Sequence, residues 1–453
     1  MAKKLLILSS DRYVFAFLLE GFDVVKMDME DRKAPRILGS IFKGKVLRVV
    51  KGLEGAFVDI GLGKEAYLPL KDLQVKVGDT LLVQAVREEV GQKGVRLTDK
   101  IRIPGKYIVY FPSLGEIRCS SKLDKEGRCR WVSVLSPHLE GEGVIVRTGS
   151  VYASEEEVLQ ELAQLRNLYR ELQNRVKRLK KPKMVLEEYP CYKRFIRDHW
   201  HELEEIYCDD PVLWNDIASF LDSFHPPLLE RSVYVRDPTP LINRYHIREL
   251  FRRLFSKYVW LKSGGYIVIE ETEAMTVIDV NSGEPCGNSQ EESALRTNLE
   301  AAKEIAKQVI LRNLGGIIIV DFIDMKRPEN REAVTKALKE AFGEDGCNVQ
   351  FYGFTRLGLF EMVRRKTKES FPHLLSSSCP VCGGSGRIKA ENLFLFELEK
   401  DLKSVVASRM RVRVRPERSK EVEKLLERLG VRSAEVEATE DVDYNDYEVE
   451  YEK

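Results

Sequence analysis

Apolar and polar positions fall into several distinct rhythms along the chain. Residues 4–27 carry two apolar stretches, LLILSS and YVFAFLLEGFDVVKMDM, that predict strands. Over 38–100 the stretches shorten and alternate: IFKGKVLRVV, GAFVDIG, EAYLPL, TLLVQAV and GVRLT, separated by turn glycines. Short alternating strands at this spacing predict a small barrel. Residues 101–150 predict mixed strands ending in GVIVRTGS. A long helix follows. Ser154 and Glu157 form a capping box, and Val158, Leu159, Leu162, Leu165, Leu168, Tyr169, Leu172, Val176 and Leu179 trace one broad apolar face that stops near Pro182. Residues 185–260 hold helical stretches, among them IRELFRRLFSKYVWL. Residues 264–375 alternate strand, helix, strand, helix, which predicts an α/β layer. The last part, 389–453, predicts a small α+β unit: a strand MRVRVR ended by Pro416, a helix SKEVEKLLERLG and an acidic end.

At 453 residues, 43% hydrophobic and 32% charged, the chain has the profile of a soluble protein of several domains. The formal net charge is only +1. Nucleic-acid contact would therefore have to come from local clusters rather than a global field. No apolar run approaches the roughly 18 residues of a membrane span. The opening MAKKLLILSS is too short for a signal peptide and reads as a first strand. Eight cysteines are scattered except for Cys379 and Cys382, which favours a reducing cytoplasm over a disulfide framework.

The strand-like segments TVIDVNSG (276–283) and GGIIIVDFIDM (315–325) each end in acid, and a helix-like stretch whose Gly pair gives a stop signal joins them. This layout can bring Asp279 and Asp321 together at one end of a sheet. Asn281 shares the face of Asp279 two residues on, and Asp324 follows Asp321. Two carboxylates, water and substrate phosphate make a suitable shell for Mg²⁺, which can activate water and offset charge on phosphoryl oxygens. Each Asp alone reads better as a solvent-facing strand cap. The pair, with Asn281 and a barrel upstream, favours a metal-dependent enzyme acting on a nucleic-acid phosphate. The six histidines form no HxxxH pair, and His201 and His246 read as structural.

Within the barrel, Phe42, Phe57 and Tyr67 lie amid Lys43, Lys45, Lys51, Lys64 and Lys93. Aromatic faces stack on unpaired bases while lysines follow phosphates, although a lone aromatic is more often barrel core. Three basic runs stand out: KRLKKPK (177–183), MVRRKTK (362–368) and RVRVRPER (411–418). The second is the favoured path for RNA because it lies between the acid-bearing strands and the cysteine pair. Cys379-Pro-Val-Cys382 has knuckle spacing and can chelate Zn²⁺, which wants four ligands. His373 offers a third ligand and no fourth is near. The simplest completion is a second chain, giving Cys₄ across a two-fold axis.

The barrel string, VIVRTG, IDVNSG, RTNLEAAKEIAKQ, GGIIIVDFIDM and CPVCGGSG occur in the order seen in the ribonuclease E/G endoribonucleases, which the chain resembles over about 1–390. The lack of a long disordered C-terminal extension resembles the G type of that family. The resemblance implies a multidomain α/β and α+β layout. A ribonuclease H-like subdomain is split between 1–37 and 186–258, around an S1-like OB barrel (38–100) and a 5′-sensor region with the long helix (101–185). A deoxyribonuclease I-like catalytic subdomain (259–375), a zinc link (376–388) and a small C-terminal domain (389–453) follow. It further implies that Asp279 and Asp321 ligate Mg²⁺ with Asn281 in support. The same resemblance implies that Arg147 and Thr148, with Gly105 and Val109, bind a 5′-monophosphate, that Phe57, Tyr67 and Lys93 grip RNA beside the cut, and that Cys379 and Cys382 share structural Zn²⁺ between two chains.

The expected activity is Mg²⁺-dependent cleavage of single-stranded RNA by metal-activated water, leaving a 5′-phosphate and 3′-hydroxyl and stimulated by a 5′-monophosphate. The substrates implied are rRNA precursors and mRNA in the cytoplasm, and the assembly is a homodimer or a tetramer. Two departures bear on substrate contacts: the loop SGEPCGNSQEES is short and carries Cys286, and FPSLGEIRCSSKL is poor in basic residues. The rival reading is a non-catalytic RNA-binding scaffold. Intact Asp279, Asn281 and Asp321 argue against it.

Overall fold

A computed structural model describes residues 2–70, 74–89, 93–283, 289–404, 409–431 and 434–452. Cys286 lies outside the described residues. The chain forms two compact units, Met1–Leu374 and Leu375–Lys453.

Among the described residues the first unit holds four sheets. Strands Lys3–Ser9, Tyr13–Glu20 and Asp23–Asp31 form an antiparallel meander. The first of them also pairs in parallel with Leu203–Cys208, so segments some 200 positions apart share one sheet. Helices Cys191–His199 and Pro211–Phe224 bury Phe195, Ile196, Ile217 and Leu221 against it.

The chain between these segments builds a barrel and a smaller sheet. Strands Ile41–Val50, Gly55–Asp59, Glu65–Pro69, Arg96–Thr98 and Thr80–Arg87 pair in that order, and the first also pairs with the last, which closes five strands into a barrel. Alternation fills it: Val46, Ala56, Val58, Ala66, Leu68, Val83 and Leu97 point inward. The smaller sheet runs Ile117–Cys119, Gly143–Val146, Ile108–Phe111, Ile103–Pro104. The helix Glu155–Arg178 packs its stripe of Val158, Leu162, Leu165, Leu172 and Val176 on it. Each such side chain removed from water contributes about 1.5–3 kcal/mol. The Ser154–Glu157 capping box is formed as the sequence predicts.

The fourth sheet has strand order Tyr258–Trp260, Tyr266–Glu271, Met275–Asn281, Gly316–Asp321, Phe360–Arg364, Val349–Phe354, with one parallel pair among antiparallel neighbours. Helices Gln290–Leu311 and Pro328–Phe342 both lie on the same face. Ala301, Ile305, Val309, Val334 and Leu338 share one core with Ile278, Val280, Ile318 and Val320. The predicted alternating layer is thus a two-layer arrangement whose other face is open. The first helix stops before the Gly pair: Asn313 takes the left-handed conformation (φ 52°), which that residue tolerates, just after the cap at Arg312.

The second unit packs helices Glu391–Ser404 and Ser419–Leu429 on a sheet ordered Ala434–Ala438, Arg409–Val414, Glu448–Glu452. No helix among the described residues is long and apolar enough to cross a membrane.

Candidate functional site

The open face of the fourth sheet carries the acids. In Met275–Asn281, Thr276, Ile278 and Val280 are buried, while Met275, Val277, Asp279 and Asn281 take the opposite face. Asp279 and Asp321 are direct partners in the parallel register, which sets their backbones about 4.8 Å apart. The Asn281 amide donates to Asp279 Oδ2 at 2.8 Å. Burial, together with the Asp279 and Asp324 carboxylates, pushes the Asp321 carboxyl above its ordinary range. Like charges crowded in this way favour a bound cation. Among the described residues no group of three or more His, Cys, Asp or Glu is set to hold a metal. The Asp279 and Asp321 carboxylates are hard oxygen donors, which fit Mg²⁺ completed by water and phosphate oxygens.

Phe57 and Tyr67 are paired across barrel strands and stand half-exposed outside the barrel core, with ring centroids 5.9 Å apart. Arg48 lies 4.0 Å over the Phe57 ring and Arg96 6.0 Å over Tyr67. The Tyr67 hydroxyl donates to the Leu53 carbonyl at 2.8 Å. Gly55 makes room for this ring, since a Cβ there would sit 2.3 Å from it. Lys93 is exposed at the barrel surface.

Phe42 and Lys43 leave this group. Phe42 is wholly buried in the barrel core, and the buried Lys43 ammonium donates to the Val176 carbonyl at 2.8 Å and to that of Leu179. It caps the C-terminus of the long helix, where free carbonyls and the helix dipole favour a cation.

The proposed phosphate-sensing residues cluster on the smaller sheet. Arg147 donates to the Gly105 carbonyl at 3.1 Å and to Asp198 Oδ1 at 2.5 Å. Thr148 and Ser120 share a hydroxyl hydrogen bond of 3.0 Å, and Val109 pairs with Ile145, two positions before Arg147. One carboxylate organises the turn. Glu161 accepts from the backbone N–H groups of Lys106, Tyr107 and Ile108 at 2.5–2.9 Å. Gly105 is required beside it, because a Cβ would meet that carboxylate at 2.5 Å. Burial would raise the Asp198 carboxyl, but Arg197 and Arg147 outweigh it and hold it well below the usual range. Sequence reasoning missed Asp198 and Glu161. Both are remote in sequence from the residues they support, and only the fold brings them near.

Within the run MVRRKTK, Arg364 and Lys368 are engaged inside the fold, while Arg365 is exposed. Arg364 is bound to Asp345 at 2.7 Å and to the Leu314 carbonyl at 2.8 Å, and Lys368 pairs with Asp28. Burial acts to raise the Asp28 carboxyl, yet the charges of Lys368 and Arg194 depress it below its usual range. In the second unit, Arg411 and Arg413 both face Glu437 across the sheet. The run 177–183 remains at the surface apart from half-buried Leu179 and Pro182.

Cys379 and Cys382 belong to the second unit. The Gly386 N–H donates to Cys382 Sγ at 3.3 Å and, with Gly384 and the Cys379 thiol, lowers the Cys382 pKa. Two cysteines at this spacing can supply two of the four ligands of a tetrahedral zinc shell. His373 lies in the helix Phe371–Leu374 that closes the first unit.

The acid pair, the barrel rings and the Arg147–Thr148 cluster thus stand on three sheets of one unit. Residues 37–100 match the S1 RNA binding domain and residues 102–367 match the Ribonuclease E/G family. The chain is 37% identical to Ribonuclease G of Haemophilus influenzae over 82% of its length and 81% of that protein's. It is 33% identical to Ribonuclease G of Escherichia coli, with 82% of each chain covered. Against Ribonuclease E of Escherichia coli identity is 32%, over 82% of this chain and 37% of the other. By extent and by domain order, the chain belongs to the ribonuclease E/G family.

Proposed function

We propose that the chain is a Mg²⁺-dependent endoribonuclease that hydrolyses single-stranded RNA to 5′-phosphate and 3′-hydroxyl ends. The observation that carries this reading is the Asp279–Asp321 pair, in register on an uncovered sheet face with Asn281 holding Asp279. Asp279 and Asp321 hold Mg²⁺, which when bound activates the attacking water and offsets charge on the phosphoryl oxygens. Asn281 fixes the orientation of Asp279. Phe57 and Tyr67 stack on unpaired bases and Lys93 meets phosphate. Arg147 and Thr148, framed by Gly105 and Val109, receive a 5′-monophosphate through charge-assisted hydrogen bonds.

The sheet shared by residues 3–31 and 203–234 is read as ribonuclease H-like, and 259–375 as deoxyribonuclease I-like. Cys379 and Cys382 pair with the same residues of a second chain on Zn²⁺, giving a homodimer or a dimer of dimers. Processing of rRNA precursors and decay of mRNA in the cytoplasm are the roles this chemistry suits.

The test is incubation of the full chain with an unpaired RNA bearing a 5′-monophosphate or a 5′-hydroxyl, with and without Mg²⁺, and analysis of the product ends. The expected result is internal, Mg²⁺-dependent cleavage, faster on the monophosphate, with new 5′-phosphates. Binding without cleavage under every divalent metal would replace the enzyme with the scaffold.

A further inference from the structure

The open face of the catalytic sheet continues sideways from the carboxylates into a patch of rings. Tyr258 and Trp260 stand on the edge strand, 56% and 70% exposed, and half-buried Tyr266 on its neighbour. Register ties these rings to the acids. Trp260 pairs with Tyr266, which pairs with Asn281. Tyr258 pairs with Val268, which pairs with Asp279, which pairs with Asp321. Residues directly opposite one another project from the same face, so two rows cross the sheet from rings to active-site residues. Tyr266 lies 5.2 Å from Trp260 and 5.9 Å from Tyr258 by ring centroid, tilted to both, so the three make one continuous surface. At about 4.8 Å per strand, Tyr266 is one strand from Asn281 and Trp260 two.

We infer that Tyr258, Trp260 and Tyr266 form a base-stacking subsite that receives an unpaired nucleobase of the RNA strand, within a nucleotide or two of the bond being cut. This inference rests on the reading of Asp279 and Asp321 as the cleavage centre. Every base presents a π-face, and aromatic platforms hold single strands without demanding a sequence. On the open face the rows from the rings to the acids pass only through Tyr266 and Val268, so stacking, rather than charge, is what the patch offers. A second copy of the chain is the less favoured occupant. The exposed aliphatic residues of this face, Met275, Val277 and Ile317, lie toward the opposite ends of their strands from the acids. The rings instead share the rows of Asp279 and Asn281, where a substrate strand must pass.

The experiment uses the 453-residue chain with Asp279→Asn, alone and combined with Trp260→Ala or Trp260→Phe. RNA binding is measured without added divalent metal, on unpaired oligonucleotides carrying a single abasic position stepped across the cleavage site. Trp260→Ala is expected to weaken binding of intact RNA about tenfold, with Trp260→Phe recovering most of it. One abasic position next to the cut should cost the same factor in the Trp260 protein and nothing further in Trp260→Ala. Unchanged affinity in Trp260→Ala, or equal losses at every abasic position, would overturn the subsite. A changed sedimentation coefficient with unchanged RNA affinity per chain would also overturn it, assigning the rings to a contact between copies. A separate cleavage assay keeps the two readings apart. Cleavage by Asp279→Asn removes the catalytic reading, whereas an inactive Asp279→Asn with no abasic coupling removes only the subsite.

Discussion

At the scale of single residues, charge balance decides what each acid or base does. Asp28 and Asp321 are both strand carboxylates, yet their ionisation moves in opposite directions. Asp321 is pushed up by burial and, after it, by the facing Asp279 and Asp324 carboxylates. Asp28 faces Lys368 and Arg194, and its carboxyl is held down. A carboxyl depressed in the fold contributes stability that is present above its unfolded pKa and is lost as pH falls through the folded value. Asp28→Asn is therefore expected to cost on the order of 2 kcal/mol at neutral pH, less than a wholly buried pair because both ends keep some water. The deficit should shrink below about pH 4, where the unfolded carboxyl protonates. Denaturant unfolding at pH 7 and at pH 3 measures it; equal deficits at both would contradict the assignment. The sequence presents Lys368 as one of several cations in a basic run, and nothing local announces a partner 340 positions away.

At the scale of elements, what the sequence makes legible follows from periodicity. The apolar stripe and capping box of the helix Glu155–Arg178 are readable because every signal is local. Alternation in Met275–Asn281 likewise puts Asp279 and Asn281 on one face before any fold is known. The register that pairs Asp279 with Asp321 is not readable, since it depends on how two distant strands align. The same limit hides Glu161, a polar position on the long helix whose partners are three backbone N–H groups of a turn more than fifty residues earlier.

Glu161→Ala should loosen that turn and so displace Gly105 and Arg147. Cleavage of 5′-hydroxyl RNA is expected to persist while the advantage of 5′-monophosphate RNA falls several-fold. An unchanged monophosphate-to-hydroxyl rate ratio would show that the turn does not support phosphate sensing. Ser154→Ala is expected to cost about 1 kcal/mol through the lost cap, seen as a lower unfolding midpoint with the ratio kept.

At the scale of the whole molecule, ion pairs and backbone bonds join the sheets of the first unit. Lys368 meets Asp28 between the acid-bearing and N-terminal sheets, and Arg147 meets Asp198 between the smaller sheet and the helix Cys191–His199. The Glu88 N–H donates to the Thr367 carbonyl at 2.8 Å, tying the barrel to the segment that leaves the catalytic sheet. Nothing in the sequence pattern marks these junctions, since each looks like ordinary surface charge or turn.

Assembly belongs to this scale too. Two thiolates complete a zinc shell only with two more ligands, so Cys382→Ser should release zinc and lower the oligomeric state together, measured by metal analysis and sedimentation. A Cys382→Ser chain that keeps both its zinc and its oligomeric state would refute the shared site.

The central claim is that Asp279 and Asp321 together hold the ion that drives RNA cleavage. Single-turnover cleavage of one unpaired 5′-monophosphorylated RNA, by the unaltered chain and by Asp279→Asn and Asp321→Asn across a Mg²⁺ titration, tests it most directly. The account predicts that each substitution lowers the rate by about a thousandfold or more, with RNA affinity retained and no rescue at saturating Mg²⁺. Cleavage by either variant near the unaltered rate would contradict it and leave the two acids as strand-end caps.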